Sequence, residues 1–435
     1  MTTVDLLGIG VGPFNLALAA LLDPVSDVDG VFCEQASTFR WHPGLLLEGA
    51  TTQVPFLADL VTLVDPTSRH SFLEYLREHD RLYRFYFREL FHVPRREYDD
   101  YCRWVANRLP SCRFDTRVDA LRWLDGEAVF EAEITDPVAG RSERVRSRNA
   151  VLGVGSSPYV PAPLAGALGD DVFHSADFLD HRAAACQAES VTVVGSGQSG
   201  AEVFLAMLSD QPDFGYRLDW VTRSPGFFPM EYTPLALEHF TPDYTTYFRS
   251  LPAPTRDRLL AGQGLLYKGI DPQTSAEIYQ LLYERTVGGA RPAVRLLPHL
   301  DITGAERGAD RPRRWRLTCR HRELGWQMTT DTDCLILATG YRADPPGLLG
   351  PLADLIRWDE QGKFQVDGDY RVATDPRITG ALYVQNAELH THGVGAPDLG
   401  LGAHRAATIS NAVARRQVYR LPGRVAFTDF GASRP

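Results

Sequence analysis

At 435 residues the chain is longer than one hydrophobic core usually serves, so two or three domains are expected. Its 44% hydrophobic and 23% charged residues are ordinary for a globular protein, and the net charge of −10 argues against nucleic acid or an anionic membrane as main partner. Six cysteines without a CxxC pair, no basic and apolar leader, and no apolar run of about 18 residues predict a reduced, cytoplasmic protein with no structural metal and no membrane span.

Residues 4–7 read as a short buried strand, 14–22 as a helix and 30–33 as a second strand. Between the first two lies Gly8-Ile9-Gly10-Val11-Gly12-Pro13. Glycines there let the backbone approach a pyrophosphate held at the helix N-terminus, where unpaired N–H groups point outward. Glu34 closes the second strand, where a carboxylate can accept hydrogen bonds from a ribose. Residues 72–109 read as helical and aromatic-rich, and 114–150 as strands followed by a Gly/Ser/Pro loop to about 163.

A second strand, turn and helix begins at residues 190–194 with Gly195-Ser196-Gly197-Gln198-Ser199-Gly200. Its next strand, 217–222, ends in Arg223 and not in an acid. A guanidinium there suits a ribose 2′-phosphate, so this site should prefer NADPH. Residues 226–289 read as helical and rich in Tyr, Phe and Pro, and strands return over 315–340. A strand at 334–338 runs into Thr339-Gly340-Tyr341 and is expected to return to the first unit.

The pattern predicts an α/β protein with two Rossmann-like dinucleotide-binding domains, FAD in the first and NADPH in the second. The expected boundaries are 1–185 and 335–435 for the FAD-binding domain, and 186–334 for the NADPH-binding domain with the helical region at 226–289. This topology leaves reductases, disulfide oxidoreductases and monooxygenases open, although the missing CxxC counts against the disulfide class. A redox-inactive scaffold has no use for a complete NADPH site.

Further motifs carry a family resemblance. Phe39-Arg40-Trp41-His42-Pro43-Gly44, Gln53-Val54-Pro55-Phe56-Leu57, Asp59-Leu60 and Asp65-Pro66 resemble the N-hydroxylating flavin monooxygenases of hydroxamate siderophore pathways. The Gly-Ser-Gly-Gln-Ser-Gly run, Ala338-Thr339-Gly340-Tyr341, Asn386 and Thr391-His392-Gly393 agree, so the resemblance spans essentially the whole chain. It implies FAD reduced by NADPH, O2 captured as a C4a-hydroperoxyflavin, hydroxylation of a terminal amine, and a small helical substrate region, here 226–289. It further implies a siderophore synthetase that takes the product, and a homo-oligomer such as a tetramer.

By this match Trp41, His42 and Gln53 line the flavin, and Gln53 lies near the oxygen adduct and is the catalytic candidate. Gly8, Gly10, Gly12, Pro13, Glu34, Thr339, Gly340 and Asp398 complete the expected FAD contacts. Gly195, Gly197, Gln198, Ser199 and Arg223 form the expected NADPH contacts. His390 and His392 lack a third ligand, so no metal is expected.

Lysine and ornithine hydroxylases of this family carry a Lys before the Asp of a Phe-x-x-Asp-Leu stretch, and it pairs with the substrate α-carboxylate. Here that position is Ala58, and Leu237 stands where a polar residue would meet the amino-acid head. Both departures favour a diamine such as putrescine or cadaverine over lysine or ornithine, unless Lys268 replaces the lost cation. Asn386 is expected beside the substrate. Glu231, Glu238, Glu388 and Asp398 are candidates to pair the distal ammonium.

Overall fold

The computed structural model describes residues 3–308 and 314–431. The outermost ends of the first and last expected segments fall outside these residues.

The strand Thr3–Ile9 lies between Gly30–Cys33 and Ser142–Leu152, parallel to both. It forms the middle of a seven-stranded sheet, and an antiparallel meander over 117–152 extends one side. The helix Pro13–Leu22 buries every residue after its leading proline. A ten-residue helix that is apolar except for Asn15 must be enclosed. It packs between the sheet and the helix Gly402–Ala414, from the far end of the chain.

A second sheet has five parallel strands in the order Val172–His174, Cys334–Leu337, Ser190–Val194, Arg217–Val221, Val294–Leu297. Three antiparallel strands, Leu300–Arg307, Trp315–His321 and Gln327–Thr332, stand beside it. The strand Cys334–Leu337 therefore does not return to the first sheet as the sequence suggested. It is fully buried between two partners, with Val194 opposite Leu337 on one side and His174 opposite Leu337 on the other. The return comes later, where Leu382–Val384 pairs with Ala150–Leu152. By sheet membership the second unit runs from about residue 172 to 337, so the expected 186 and 334/335 boundaries fall inside it.

Residues 72–109 are not one helical run. They form helices Phe72–Glu78 and Leu82–Arg88, a strand His92–Pro94 and a helix Arg95–Arg108. Asp80 and Glu89 take left-handed backbone angles at the breaks, which ends a right-handed helix. Residues 226–233 form no helix, and helices start at Pro234, Pro242 and Pro272. Proline favours that first helical position because it has no N–H to leave unpaired. No helix among the described residues is long and apolar enough to cross a membrane.

Candidate active site

A cavity of about 550 Å³ opens at the end of the first sheet. Gly10, Gly12, Pro13, Glu34, Trp41, His42 and Asn386 line it, so seven residues expected at a cofactor or substrate meet there. Gly10 has a φ of +86°, and a Cβ on it would sit 2.6 Å from the Gly153 carbonyl oxygen. Only glycine fits this crossing without strain. Gly8 lies inside the first strand against the Phe32 ring and does not line the cavity.

Glu34 accepts hydrogen bonds from the backbone N–H groups of Val11 and Ala36, both at 2.9 Å. Each carboxylate oxygen keeps a further lone pair for a ligand hydroxyl. The sequence reading missed Asn15, the one polar residue on an apolar helix. Its Nδ2 donates to the Gly10 carbonyl at 2.8 Å, and its Oδ1 accepts from Gln385 at 2.7 Å. It thus ties the first turn to the returning segment.

His42 takes a left-handed backbone angle and caps the short turn Pro43–Leu45. Its ring meets Trp41 and Tyr341 edge-on. Desolvation of the imidazole, with help from the Arg95 guanidinium, lowers its pKa to about 4 even though the residue as a whole is exposed, so it is neutral at pH 7. Asp99 accepts the Trp41 backbone N–H at 2.7 Å and fixes this loop.

Gln53 lies on the strand Thr51–Pro55, with its Nε2 buried and without a protein partner among the described residues. Ala58 is buried just beyond. Asp59 is an organiser of that turn: its carboxylate accepts from the backbone of Val61, Thr62 and Phe72. None of these three lines the 550 Å³ cavity.

The second turn repeats the logic of the first. Gly195 has a φ of +120°, and a Cβ on it would lie 2.1 Å from the Ala338 carbonyl oxygen. Gly197 and Ser199 begin the helix Gln198–Phe214 beside it. The Gln198 side chain is taken up internally: it donates to Glu202 and Thr274 and accepts from the Asp271 N–H. A direct cofactor contact by that side chain, expected from the motif, would compete with all three bonds. Arg223 is exposed just after the strand Arg217–Val221, with no side-chain partner among the described residues.

Thr339 and Gly340 lie away from the cavity, at a crossing between the units. The Thr339 hydroxyl donates to the Tyr159 carbonyl, and the Gly340 carbonyl accepts from Tyr159 and His174. Lys268 is exposed with its ammonium over the Tyr267 ring, and its carbonyl faces Gly197. It therefore belongs beside the second turn. Leu237 ends a four-residue helix and is partly exposed.

The four acids separate clearly. Glu238 accepts from the backbone of Phe427 and Thr428, each at 2.8 Å, and holds the C-terminal segment. Glu388 is fully buried against Arg405 at 3.0 Å. Glu231 is exposed. Asp398 is half-buried and adjoins the cavity-lining residues Pro397 and Leu399. Burial raises its pKa to about 6, opposed by the Gly400 N–H it accepts. Among the described residues no group of three His, Cys, Asp or Glu side chains is arranged to hold a metal.

Two dinucleotide turns, one opening on a large cavity, define a two-site flavoenzyme. The profile of the L-lysine 6-monooxygenase/L-ornithine 5-monooxygenase family matches residues 2–343, and the chain belongs to that family. It is thus an FAD- and NADPH-dependent N-monooxygenase. The rhizobactin siderophore biosynthesis protein RhbE of Rhizobium meliloti is 45% identical, over 99% of this chain and 96% of its own. A putrescine N-hydroxylase of Shewanella oneidensis is 38% identical, over 99% and 84%. The crystal structure of DfoA bound to FAD, a cadaverine monooxygenase of the desferrioxamine pathway from Erwinia amylovora, superposes with a TM-score of 0.96 at 39% identity, covering 100% of both chains.

Proposed function

We propose that the protein hydroxylates one terminal amine of putrescine or cadaverine, and that its product feeds acyl transfer by a siderophore synthetase. The 550 Å³ cavity suits FAD: Gly10 admits a close backbone approach, and the N-terminus of Pro13–Leu22, which lines the cavity, would hold its pyrophosphate. Glu34 would hold its ribose, while Trp41, His42 and Asn386 would border its ring. When bound, this group supplies the oxygen-transfer chemistry.

The chain's own residues set the conditions. Neutral His42 adds no cation beside the reacting amine. Gln53 offers one buried, uncommitted N–H donor. The amine must lose a proton to attack, and a dry pocket favours that by disfavouring charge, starting from about 10.4 in water. Asp398, half-buried beside the cavity, is the acid left to pair the distal ammonium, since Glu231 is exposed and Glu238 and Glu388 are committed elsewhere.

Ala58 carries the substrate reading. It is buried and offers no charge to an α-carboxylate. An unpaired buried carboxylate costs several kcal/mol, so an amino acid is penalised where a diamine is not. The exposed Lys268 is engaged beside the second turn and gives no sign of replacing the cation. The NADPH site is assigned to about residues 172–337 with Arg223 at its ribose, and FAD to the segments on either side. Six free cysteines and the NADPH requirement favour the cytoplasm.

The test is a panel of putrescine, cadaverine, ornithine and lysine with FAD, NADPH and O2, scored by hydroxylated amine. NADPH loss is no substitute, because it also counts wasted peroxide. Both diamines should far outperform both amino acids, and Ala58→Lys should lower diamine turnover by adding a cation beside a cationic substrate. A preference for ornithine or lysine overturns the diamine reading and leaves the class intact.

A further inference from the structure

An ion pair joins the two nucleotide units from the inside. Arg95 begins the helix Arg95–Arg108 of the first unit, and Glu202 lies one turn into the helix Gln198–Phe214 of the second. The guanidinium forks onto the carboxylate at 2.8 and 2.7 Å, with side chains only 10% and 6% exposed.

The pair continues at both ends. Arg95 also donates to the Leu45 carbonyl at 3.0 Å, three residues after His42 in the loop that lines the flavin cavity. Glu202 accepts from Gln198 at 2.9 Å, the first residue of the second glycine helix. Gln198 in turn accepts the Asp271 N–H at 2.7 Å, and Asp271 caps the helix Pro272–Glu284 of the tyrosine-rich region. One buried carboxylate thus links the loop at the flavin cavity, the nicotinamide-side turn and the helical region.

A buried pair is a poor way to gain stability, because apolar side chains of equal size usually do as well. Its fork geometry fixes direction and distance instead. Hydride transfer needs that: a displacement of about 1 Å at the reacting atoms can cost roughly a hundredfold in rate.

We propose that Arg95 and Glu202 are positioning residues that set the register between the two cofactor sites for hydride transfer. The inference rests on the two-cofactor reading above. In that step the nicotinamide loses a hydride, two electrons with one proton, and the flavin gains it, so no other oxidant or reductant enters. Gln198 acts through Glu202, which accounts for a motif side chain with no free polar atom.

The decisive variant is the double apolar replacement Arg95→Met with Glu202→Leu. It should bind FAD and NADP+ within about twofold of the parent by calorimetry and melt within a few degrees of it. Anaerobic bleaching of its flavin by NADPH should be roughly ten- to a hundredfold slower, while bleaching by dithionite is unchanged. Before any cofactor is added, amide exchange should already be faster at 43–47 and 198–202. Arg95→Lys, which keeps charge but loses the fork, should fall between. Parental bleaching in the double variant overturns the proposal, and so does a double variant too unfolded to hold FAD, because the pair is then a folding element. A parent that NADPH does not bleach overturns this proposal and the cofactor reading together. A parent that bleaches but hydroxylates no diamine overturns the substrate alone.

Discussion

Gln53 shows how a single side chain can be uneconomical for folding and useful for chemistry. A buried amide N–H without a partner costs about 1–3 kcal/mol, so a donor left in that state is best explained by what it meets during turnover. Gln53→Ala should still be bleached by NADPH, yet release more hydrogen peroxide per hydroxylated amine; equal coupling in the two proteins would remove Gln53 from the reaction. Asp398 gives a pH-dependent counterpart. Its folded pKa of about 6 lies above the ordinary 3.8, so its contribution to stability is complete below 3.8 and lost as pH rises through 6. Asp398→Asn keeps the acceptor for the Gly400 N–H and removes the charge. It should melt a few degrees above the parent at pH 7.5, lose that advantage by about pH 4, and raise KM for the diamine more than it lowers kcat. A melting difference that is flat with pH would show that burial of charge is not its cause. Gly10 and Glu34 were legible in the sequence because their spacing is local. Asn15 carried only the faint signal of a polar residue in an apolar helix. Arg95 and Glu202 carried none, being 107 residues apart and joined only by packing.

At the scale of elements, the sequence located both strand–turn–helix units and placed the second strand of each to within a residue. It misassigned the strand Cys334–Leu337, because a fully buried parallel strand looks the same whichever sheet receives it. Gly195 permits the observed placement, because its missing Cβ leaves room for the Ala338 carbonyl. The region 72–109 failed differently: its apolar spacing suits helices, while the breaks come at left-handed Asp80 and Glu89, neither of them the glycine that most plainly marks such a conformation. The second unit also frames the test of nucleotide preference. Arg223 follows the strand Arg217–Val221 with its guanidinium uncommitted among the described residues. A charge-assisted hydrogen bond contributes roughly 1.5–3 kcal/mol, so Arg223→Ala should weaken NADPH about tenfold to a hundredfold and leave NADH nearly unchanged. Equal losses for both would make it a structural residue.

For the whole molecule, the helix Leu82–Arg88 poses a problem of surface, since none of its seven residues is buried. Tyr83, Tyr86, Phe87 and Phe91 are between 67% and 77% exposed, and Leu57, Leu82 and Leu90 are exposed in the same stretches of chain. Rings of about 150–250 Å² each, with these leucines, amount to on the order of 800 Å², the share one partner gives to a standard interface. Exposed Arg84 and Glu89 on the same segment can pair across a two-fold axis, so a second copy of this chain is the occupant proposed here. Light scattering should find an oligomer for the parent and a smaller species for Tyr86→Glu with Phe87→Glu, both holding FAD. A monomeric parent, or a variant of undiminished mass, would leave the patch without that role.

The late strand Leu382–Val384 has a consequence for how the molecule is made. A ribosome releases the central sheet, complete by Leu337, while the first still lacks this strand and the helix Gly402–Ala414 that covers Pro13–Leu22. This helix, apolar except for Asn15 and among the first to be synthesised, therefore lacks its covering helix through most of translation. Its covering depends on contacts of the longest sequence separation, which form slowly. Flavin capture is accordingly a late event in the life of each nascent chain, and a premature stop before residue 382 would yield a polypeptide with an ordered centre and no means of closing the cavity around its prosthetic group.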